Sequence, residues 1–146
     1  KFKLIILKFL YYIKKNNNVI DKDYLYLGSL NDSNNEIFLK NNNIKTIINV
    51  TYNHDNIKYD NIKYYKIETL DNEKQPILYV INKVNNIINE NKNNGNILVH
   101  CYIGKSRSST CIIAYLMKEY KMTLKEAIIY TKKKRSIINP NNGFIN

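Results

Sequence analysis

The residues best suited to carry out chemistry lie together in residues 100–109. Cys101 and Arg107 are separated by five residues that include Gly104, and Ser108 follows directly. A thiolate can attack a phosphorus atom, and the planar guanidinium of an arginine can hold two phosphoryl oxygens at once. The spacing therefore predicts a loop that binds a phosphate group and presents Cys101 to it as a nucleophile.

An apolar run at residues 97–99 precedes this loop, and an apolar helical pattern follows it. A loop between a strand and a helix can turn its backbone N–H groups inward, and the start of the helix adds a positive dipole. The residues expected to bind the phosphate are Tyr102, Ile103, Gly104, Lys105, Ser106 and Arg107. The same field is expected to lower the pKa of Cys101 from about 8.5 into the range of roughly 3.5–7.5.

Two neighbours of this loop are expected to assist Cys101. His100 is expected to orient the loop by hydrogen bonding rather than to act as a base, because a thiolate needs none. Ser108 can donate a hydrogen bond to the sulfur. That bond would help the sulfur to leave in a second step.

The leaving oxygen of a phosphate ester needs a proton, and the loop itself contains no acid. Asp71 follows a predicted strand and opens a polar loop that can hang over the site. Glu68 and Glu73 are its competitors, one within the strand and the other further along the loop. We therefore predict Asp71 as the general acid.

Strand and helix patterns alternate along the chain. They predict strands at residues 24–27, 44–50, 64–69 and 97–99, and helices at residues 31–43, 76–94, 108–120 and 123–134. The alternation predicts an α/β fold with a central, mostly parallel, twisted sheet of about five strands and helices on both faces. Ligands of such sheets bind beyond the carboxyl ends of the strands, where the Cys101 loop lies.

The chain has 146 residues, which fits one domain, and a net charge of +11. Acidic partners follow from the charge, namely phosphorylated proteins, anionic lipid or nucleic acid. Nucleic acid is not expected, because Lys, Asn and Ile crowd the whole chain and no tract concentrates the charge. Against this background rare residues are informative: of 23 basic residues, only Arg107 and Arg135 are arginines.

Residues 1–18 are predicted to be an N-terminal extension, and residues 19–146 the catalytic domain. Residues 1–15 are apolar with Lys at both ends, too short to span a bilayer, and without the cleavage site of a signal peptide. We favour a helix that packs on the domain, followed by an Asn-rich linker. An interfacial membrane anchor and the tail of a longer upstream region are the alternatives.

The two cysteines do not suggest a disulfide framework. A reducing, intracellular compartment is therefore expected, the cytoplasm first and the nucleus as the alternative. Cys111 falls within a helical pattern and is expected in the core, with a redox partnership with Cys101 as the less favoured interpretation. His54 is expected to be an ordinary loop histidine.

At the Cys101 loop the chain resembles the dual-specificity phosphatases, within the cysteine-based protein tyrosine phosphatase superfamily. Their signature His-Cys-x-x-Gly-x-x-Arg-Ser is present at residues 100–108. Further similar elements lie at residues 24–29, 47–51, 114–117 and 140–144. The resemblance implies a cysteinyl-phosphate mechanism without cofactor or metal. In it Cys101 is the nucleophile, Arg107 the phosphate clamp, Asp71 the general acid and then base, and Ser108 assists thiolate release.

The resemblance also implies a protein phosphatase acting on phosphotyrosine and on phosphoserine or phosphothreonine. Two residues of the loop differ from those that the family often has. Ile103 stands where the family often has Ala, and Lys105 adds a positive charge of the kind that phosphoinositide phosphatases often carry. In this Lys-rich chain we interpret Lys105 as background. The alternatives are a phosphoinositide or other non-protein phosphatase, and a phospho-binding module with weak turnover.

Overall fold

The computed structural model describes residues 19–21 and 24–146. The predicted N-terminal extension, residues 1–18, lies outside them. Across the described part of the chain, no helix has the length and apolar character needed to cross a membrane.

Within the described residues, five strands form one sheet: β1 (Val19–Asp21), β2 (Leu25–Gly28), β3 (Ile44–Asn49), β4 (Lys63–Lys66) and β5 (Asn96–His100). Their order is β1-β2-β5-β3-β4, with β1 antiparallel to β2 and the other pairs parallel. This confirms the predicted mostly parallel sheet. Because β5 lies between β2 and β3, the residue that follows it emerges at the centre of the carboxyl edge. Ligands of such sheets bind where the strand order reverses in this way.

In the described chain, six helices accompany the sheet: α1 (Leu30–Ser33), α2 (Glu36–Asn41), α3 (Leu78–Asn91), α4 (Arg107–Glu119), α5 (Leu124–Lys134) and α6 (Asn142–Ile145). The prediction of a single helix over residues 31–43 is wrong. The side chain of Asn35 accepts a hydrogen bond from the N–H of Phe38 (3.1 Å) and caps α2 as a separate helix. β1 and α6 were not predicted, since elements of three and four residues carry too short a pattern.

The two faces of the sheet carry separate apolar clusters. One cluster contains Leu25, Leu27, Ile48, Ile97 and Val99, packed against residues of α3, α4 and α5. The other contains Tyr26, Ile47 and Leu98, packed against Leu39 of α2. Neighbouring strand residues enter opposite clusters because strand side chains alternate. Helices therefore cover both faces, as predicted, and each fully buried aliphatic side chain contributes about 1.5–3 kcal/mol.

The segment after β4 brings a predicted site residue to the carboxyl edge. The strand predicted at residues 64–69 is Lys63–Lys66. Hydrogen bonding to the neighbouring chain nevertheless continues, since the N–H of Thr69 donates to the carbonyl of Thr51 at 3.2 Å. Asp71 follows two residues later, on the same edge as the Cys101 loop.

Candidate active site

The loop between β5 and α4 is held in place by hydrogen bonds to its carbonyl groups, which point outward. Each carbonyl from residue 101 to residue 106 accepts a hydrogen bond of 2.7 to 3.0 Å. The donors, in carbonyl order, are the His100 ring, the Leu30 N–H, the Arg135 guanidinium twice, the Asn139 N–H and the Thr110 N–H. The C=O and N–H of a trans peptide unit point in opposite directions, so the N–H groups of residues 102–107 turn inward. Inward N–H groups are the arrangement expected of an anion site.

Gly104 lets the loop curve this tightly. Its φ is 78°, in the left-handed region that glycine adopts without strain. A Cβ at Gly104 would lie 2.5 Å from the carbonyl oxygen of Gly28 and 2.8 Å from a guanidinium nitrogen of Arg135. Both the backbone conformation and the surrounding space therefore require glycine here.

The Cys101 side chain is buried inside the loop, with 2% of its surface exposed. Its Sγ lies 3.1 Å from Oγ of Ser108 and accepts a hydrogen bond from the N–H of Gly104 at 3.2 Å. Burial by itself raises the pKa of Cys101. The Ser108 hydroxyl and N–H, the charge of Arg107 and the Gly104 N–H outweigh it and hold the pKa below its ordinary value. The loop therefore favours the thiolate, which is the nucleophilic form.

His100 is fully buried, and its two ring nitrogens have different partners. Nε2 lies 2.9 Å from Nδ2 of Asn56, and Nδ1 lies 3.0 Å from the carbonyl oxygen of Cys101. An amide NH₂ group only donates, so Nε2 accepts and Nδ1–H donates to the loop. Burial, the main cause, lowers the pKa of His100 to about 4, so the ring is neutral at pH 7. This geometry suits a group that orients the loop.

Arg107 is the first residue of α4. Its Nη1 donates to the carbonyl of Thr69 at 3.0 Å, which fixes the guanidinium beside the segment that leads to Asp71. Its Nε is buried and has no hydrogen-bond partner among the described residues. Leaving a buried donor unpaired costs about 1–3 kcal/mol, and a phosphate oxygen would satisfy it. The guanidinium is therefore arranged to bind an oxyanion.

Asp71 is joined to the loop through Asn141. The Asn141 side-chain amide donates to Oδ1 of Asp71 at 3.0 Å, and the Asn141 N–H donates to Oγ of Ser106 at 3.0 Å. Asp71 is exposed, so its carboxyl group is accessible to a ligand. In the described residues, no hydrogen bond connects the side chain of Glu68 or Glu73 to the loop. Of the three candidate carboxylates, only Asp71 has this link.

Three of the residues predicted to bind phosphate expose their side chains. Tyr102 and Ile103 are 51% and 55% exposed, and Lys105 is exposed as well. The ring of His54 lies against the ring of Tyr102, with 4.8 Å between centroids. These residues can contribute to phosphate binding through their N–H groups, while their side chains form the rim of the site.

The site offers donors for an anion, namely backbone N–H groups and one guanidinium, around the buried sulfur of Cys101. Among residues 19–21 and 24–146, no group of three or more His, Cys, Asp or Glu side chains is placed to hold a metal ion. The arrangement can bind a tetrahedral oxyanion above Cys101 and transfer a proton at Asp71.

Three residues that support the site were given no role by sequence reasoning. Asn56 binds His100, Asn141 connects Asp71 with Ser106, and Arg135 binds the outside of the loop. Asn56 carried no signal in a chain rich in asparagine, whereas Asn141 lies in the family-like element at residues 140–144. Arg135 carried one, because it is the second of two arginines.

Comparison with known proteins gives a consistent result. The family model "Dual specificity phosphatase, catalytic domain" matches residues 25–146. The "Probable rhodanese domain-containing dual specificity protein phosphatase" of Dictyostelium discoideum is 40% identical over 127 residues, 86% of this chain and 27% of that protein. Dual specificity protein phosphatase 1 of Arabidopsis thaliana is 38% identical over 122 residues, 83% of this chain and 62% of that protein.

Among solved structures, the Yvh1 phosphatase domain from Chaetomium thermophilum superposes with a TM-score of 0.80 at 29% identity, covering 88% of this chain and 90% of that one. The chain thus spans most of a solved domain, but less than two thirds of either curated relative. Since the family model covers nearly all of the described residues, this chain belongs to the dual specificity phosphatase catalytic domain family.

Proposed function

We propose that this chain is a protein phosphatase that hydrolyses phosphate monoesters of tyrosine and of serine or threonine. The observation that carries the proposal is the loop: its N–H groups turn inward, that of Gly104 donates to the buried sulfur of Cys101, and the charge of Arg107 helps to lower the pKa of that thiol. Such a cradle matches a dianionic phosphate whose phosphorus faces the sulfur. The names of the Dictyostelium and Arabidopsis relatives, both dual specificity protein phosphatases, support the same activity.

In the first step, the thiolate of Cys101 attacks phosphorus and the P–O bond to the substrate breaks. The carboxyl group of Asp71 gives its proton to the departing oxygen, so the phenol or alcohol leaves uncharged. The phosphoryl group is left on the sulfur as a cysteinyl phosphate. The loop N–H groups and Arg107 stabilise the charge on its oxygens.

In the second step, a water molecule attacks the phosphorus of the cysteinyl phosphate. The carboxylate of Asp71 accepts the proton of that water, and the S–P bond breaks to release inorganic phosphate. The hydroxyl of Ser108, 3.1 Å from the sulfur, donates a hydrogen bond to the departing thiolate. His100 stays neutral throughout and holds the carbonyl of Cys101.

The general acid gives the sharpest test. Asp71→Asn keeps the size of the side chain and removes the proton. We expect kcat on a phosphotyrosine peptide to fall by roughly 10²–10⁴. On an aryl phosphate with a strongly acidic phenol the loss should be much smaller, because that leaving group needs no proton. Glu73→Gln, on the same loop, is the matched control, and finding this pattern there instead would overturn the role of Asp71.

The main alternative for the substrate, a phosphoinositide or other highly anionic compound, rests on the positive charge of Lys105. Its side chain is exposed at the rim, where it could contact a second anionic group. The relatives named as protein phosphatases do not favour this alternative or a binding module with weak turnover. Lys105→Ala should cause small and equal losses on a phosphotyrosine peptide and on a phosphoinositide. A loss confined to the lipid would contradict the protein assignment.

Two further parts of the proposal concern the surroundings of the domain. Cys101 must remain a free thiol, so we place the protein inside the cell, in the cytoplasm or, as the alternative, the nucleus. Imaging of a fluorescent fusion tests this, and a secreted fusion would contradict it.

For residues 1–18 we propose a helix that packs on the domain, followed by a linker. Deleting them should then lower the melting temperature, whereas an unchanged value would argue against packing.

A further inference from the structure

Arg135 is the second arginine of a chain that otherwise uses lysine for positive charge. It directly follows α5, a helix anchored in the core by Ala127. Only 6% of its surface is exposed. Burying a charged side chain is unfavourable unless hydrogen bonds compensate for the lost water. The contacts of Arg135 should therefore explain why an arginine is buried here.

Arg135 binds two consecutive carbonyl groups on the outer side of the phosphate-binding loop. Its Nε donates to the carbonyl of Gly104 at 2.9 Å, and its Nη2 donates to the carbonyl of Ile103 at 2.8 Å. One planar group thus fixes two neighbouring peptide units of the loop. Gly104 leaves the room for it, because a Cβ there would lie 2.8 Å from the Nη2 of Arg135.

Fixing these carbonyls also fixes the N–H groups on the inner side. Holding the carbonyl of Ile103 outward turns the N–H of Gly104 inward, where it donates to Sγ of Cys101 at 3.2 Å. Holding the carbonyl of Gly104 outward turns the N–H of Lys105 inward in the same way. Arg135 therefore sets the direction of two of the donors that face the sulfur and the phosphate.

We propose that Arg135 is a positioning residue of the phosphatase reaction, an inference that rests on the function proposed above. It never contacts the phosphate, and it acts by holding the N–H groups of Gly104 and Lys105 toward the site. A lysine could not replace it, because an ammonium is a compact charge without the planar fork that binds two carbonyls at once. A purely structural role would instead affect only the stability of the domain.

The test compares Arg135→Lys and Arg135→Met with Lys133→Met, which removes a positive charge from an exposed position on α5. Four properties are measured: kcat/KM on an aryl phosphate, the pH midpoint of Cys101 alkylation by iodoacetamide, protection of Cys101 from alkylation by inorganic phosphate, and the melting temperature. In Arg135→Lys we expect kcat/KM to fall about 10- to 100-fold, as for a lost hydrogen bond to a charged group. The alkylation midpoint should move to higher pH, and protection by phosphate should weaken.

The proposal is overturned if folded Arg135→Lys keeps the wild-type kcat/KM, alkylation midpoint and phosphate protection and differs only in melting temperature. If Arg135→Met does not fold, Arg135→Lys decides alone. Lys133→Met should match the wild type in all four measurements, and a loss there equal to that of Arg135→Lys would reduce the effect to net charge and overturn the proposal. If the wild type hydrolyses no aryl phosphate, the proposed function fails, while the midpoint and the phosphate protection still test Arg135.

Discussion

Cys101 and Cys111 lie ten residues apart on either side of the first turn of α4, and both are buried, with 2% and 0% of their surfaces exposed. The pKa values of the two thiols are nevertheless shifted in opposite directions. Burial, followed by the nearby charge of Cys101, raises the pKa of Cys111 to about 12. At Cys101 burial acts in the same sense, but the hydrogen bonds from Ser108 and Gly104 and the charge of Arg107 reverse the result.

The difference between the two cysteines shows that burial does not activate a thiol; the donors around it do. At Cys101 these donors are the hydroxyl of Ser108 and the N–H of Gly104, and Arg135 fixes the direction of that N–H from the outer side of the loop. Both cysteines belong to the apolar cluster packed against α3, α4 and α5, but among the described residues no hydrogen bond to the sulfur of Cys111 offsets its burial. Replacing each cysteine, and the Ser108 donor, tests this contrast.

The largest effect is expected on turnover. Cys101→Ser replaces the thiolate by a hydroxyl with a far higher pKa, so hydrolysis of an aryl phosphate should fall to the level of the buffer blank. Cys111→Ala should retain a kcat/KM close to that of the wild type. A folded Cys111→Ala protein without activity would show that Cys111 takes part in the reaction, and the contrast would then be wrong.

The second prediction concerns alkylation as a function of pH. Iodoacetamide reacts with the thiolate, and with a pKa of about 12 Cys111 is ionised to only about 10⁻⁵ at pH 7. Cys101 should be labelled selectively. Because the pKa of Cys101 is lowered, its alkylation rate should begin to fall only at a lower pH than that of an ordinary thiol. Peptide mass spectrometry measures both sites, and equal labelling of the two would contradict the prediction.

The features of this contrast that could be predicted from sequence are those formed by residues close together in the chain. The strand, the loop with Gly104 and the helix that begins at Arg107 follow one another in the chain, so both the sheet edge and the thiolate at Cys101 could be predicted. The donors that hold the loop from outside come from elsewhere, such as Arg135 some thirty residues later. Local periodicity does not specify such contacts, because they depend on how α5 packs.

The same limit explains the errors in the fold. Asn34 and Asn35 split a predicted helix because the side chain of Asn35 caps a new start, and in an Asn-rich chain that signal was hidden among many others. Asp71 was predicted from its place after a strand, but its connection to the loop through Asn141 was not. That connection joins residues seventy positions apart and depends on the final packing of the chain.

The third prediction concerns a variant that lacks one of the hydrogen-bond donors to the sulfur of Cys101. Ser108→Ala deletes the hydroxyl 3.1 Å from the sulfur. A hydrogen bond to a charged group is worth about 1.5–3 kcal/mol, so breakdown of the cysteinyl phosphate should slow by roughly 10–100-fold. Rapid-mixing kinetics should then show a burst of phenol followed by slow release of phosphate. Ser109→Ala is the comparison: its hydroxyl binds the carbonyls of Lys105 and Ser106, so phosphate binding should weaken and no burst should appear.

The smallest expected effect is on the free energy of unfolding. Here substitution of Cys111 should cost more than substitution of Cys101, the opposite of the order expected for turnover. Cys111→Ser places a hydroxyl in an apolar cluster and should destabilise the domain by about 1–3 kcal/mol. Cys101→Ser should cost less, because the N–H of Gly104 and the hydroxyl of Ser108 already face that position and can bind the new oxygen. The measurement is denaturant unfolding of both variants beside the wild type. Equal losses would mean that the donors around Cys101 do not favour a polar atom there, and the explanation given for its lowered pKa would fail.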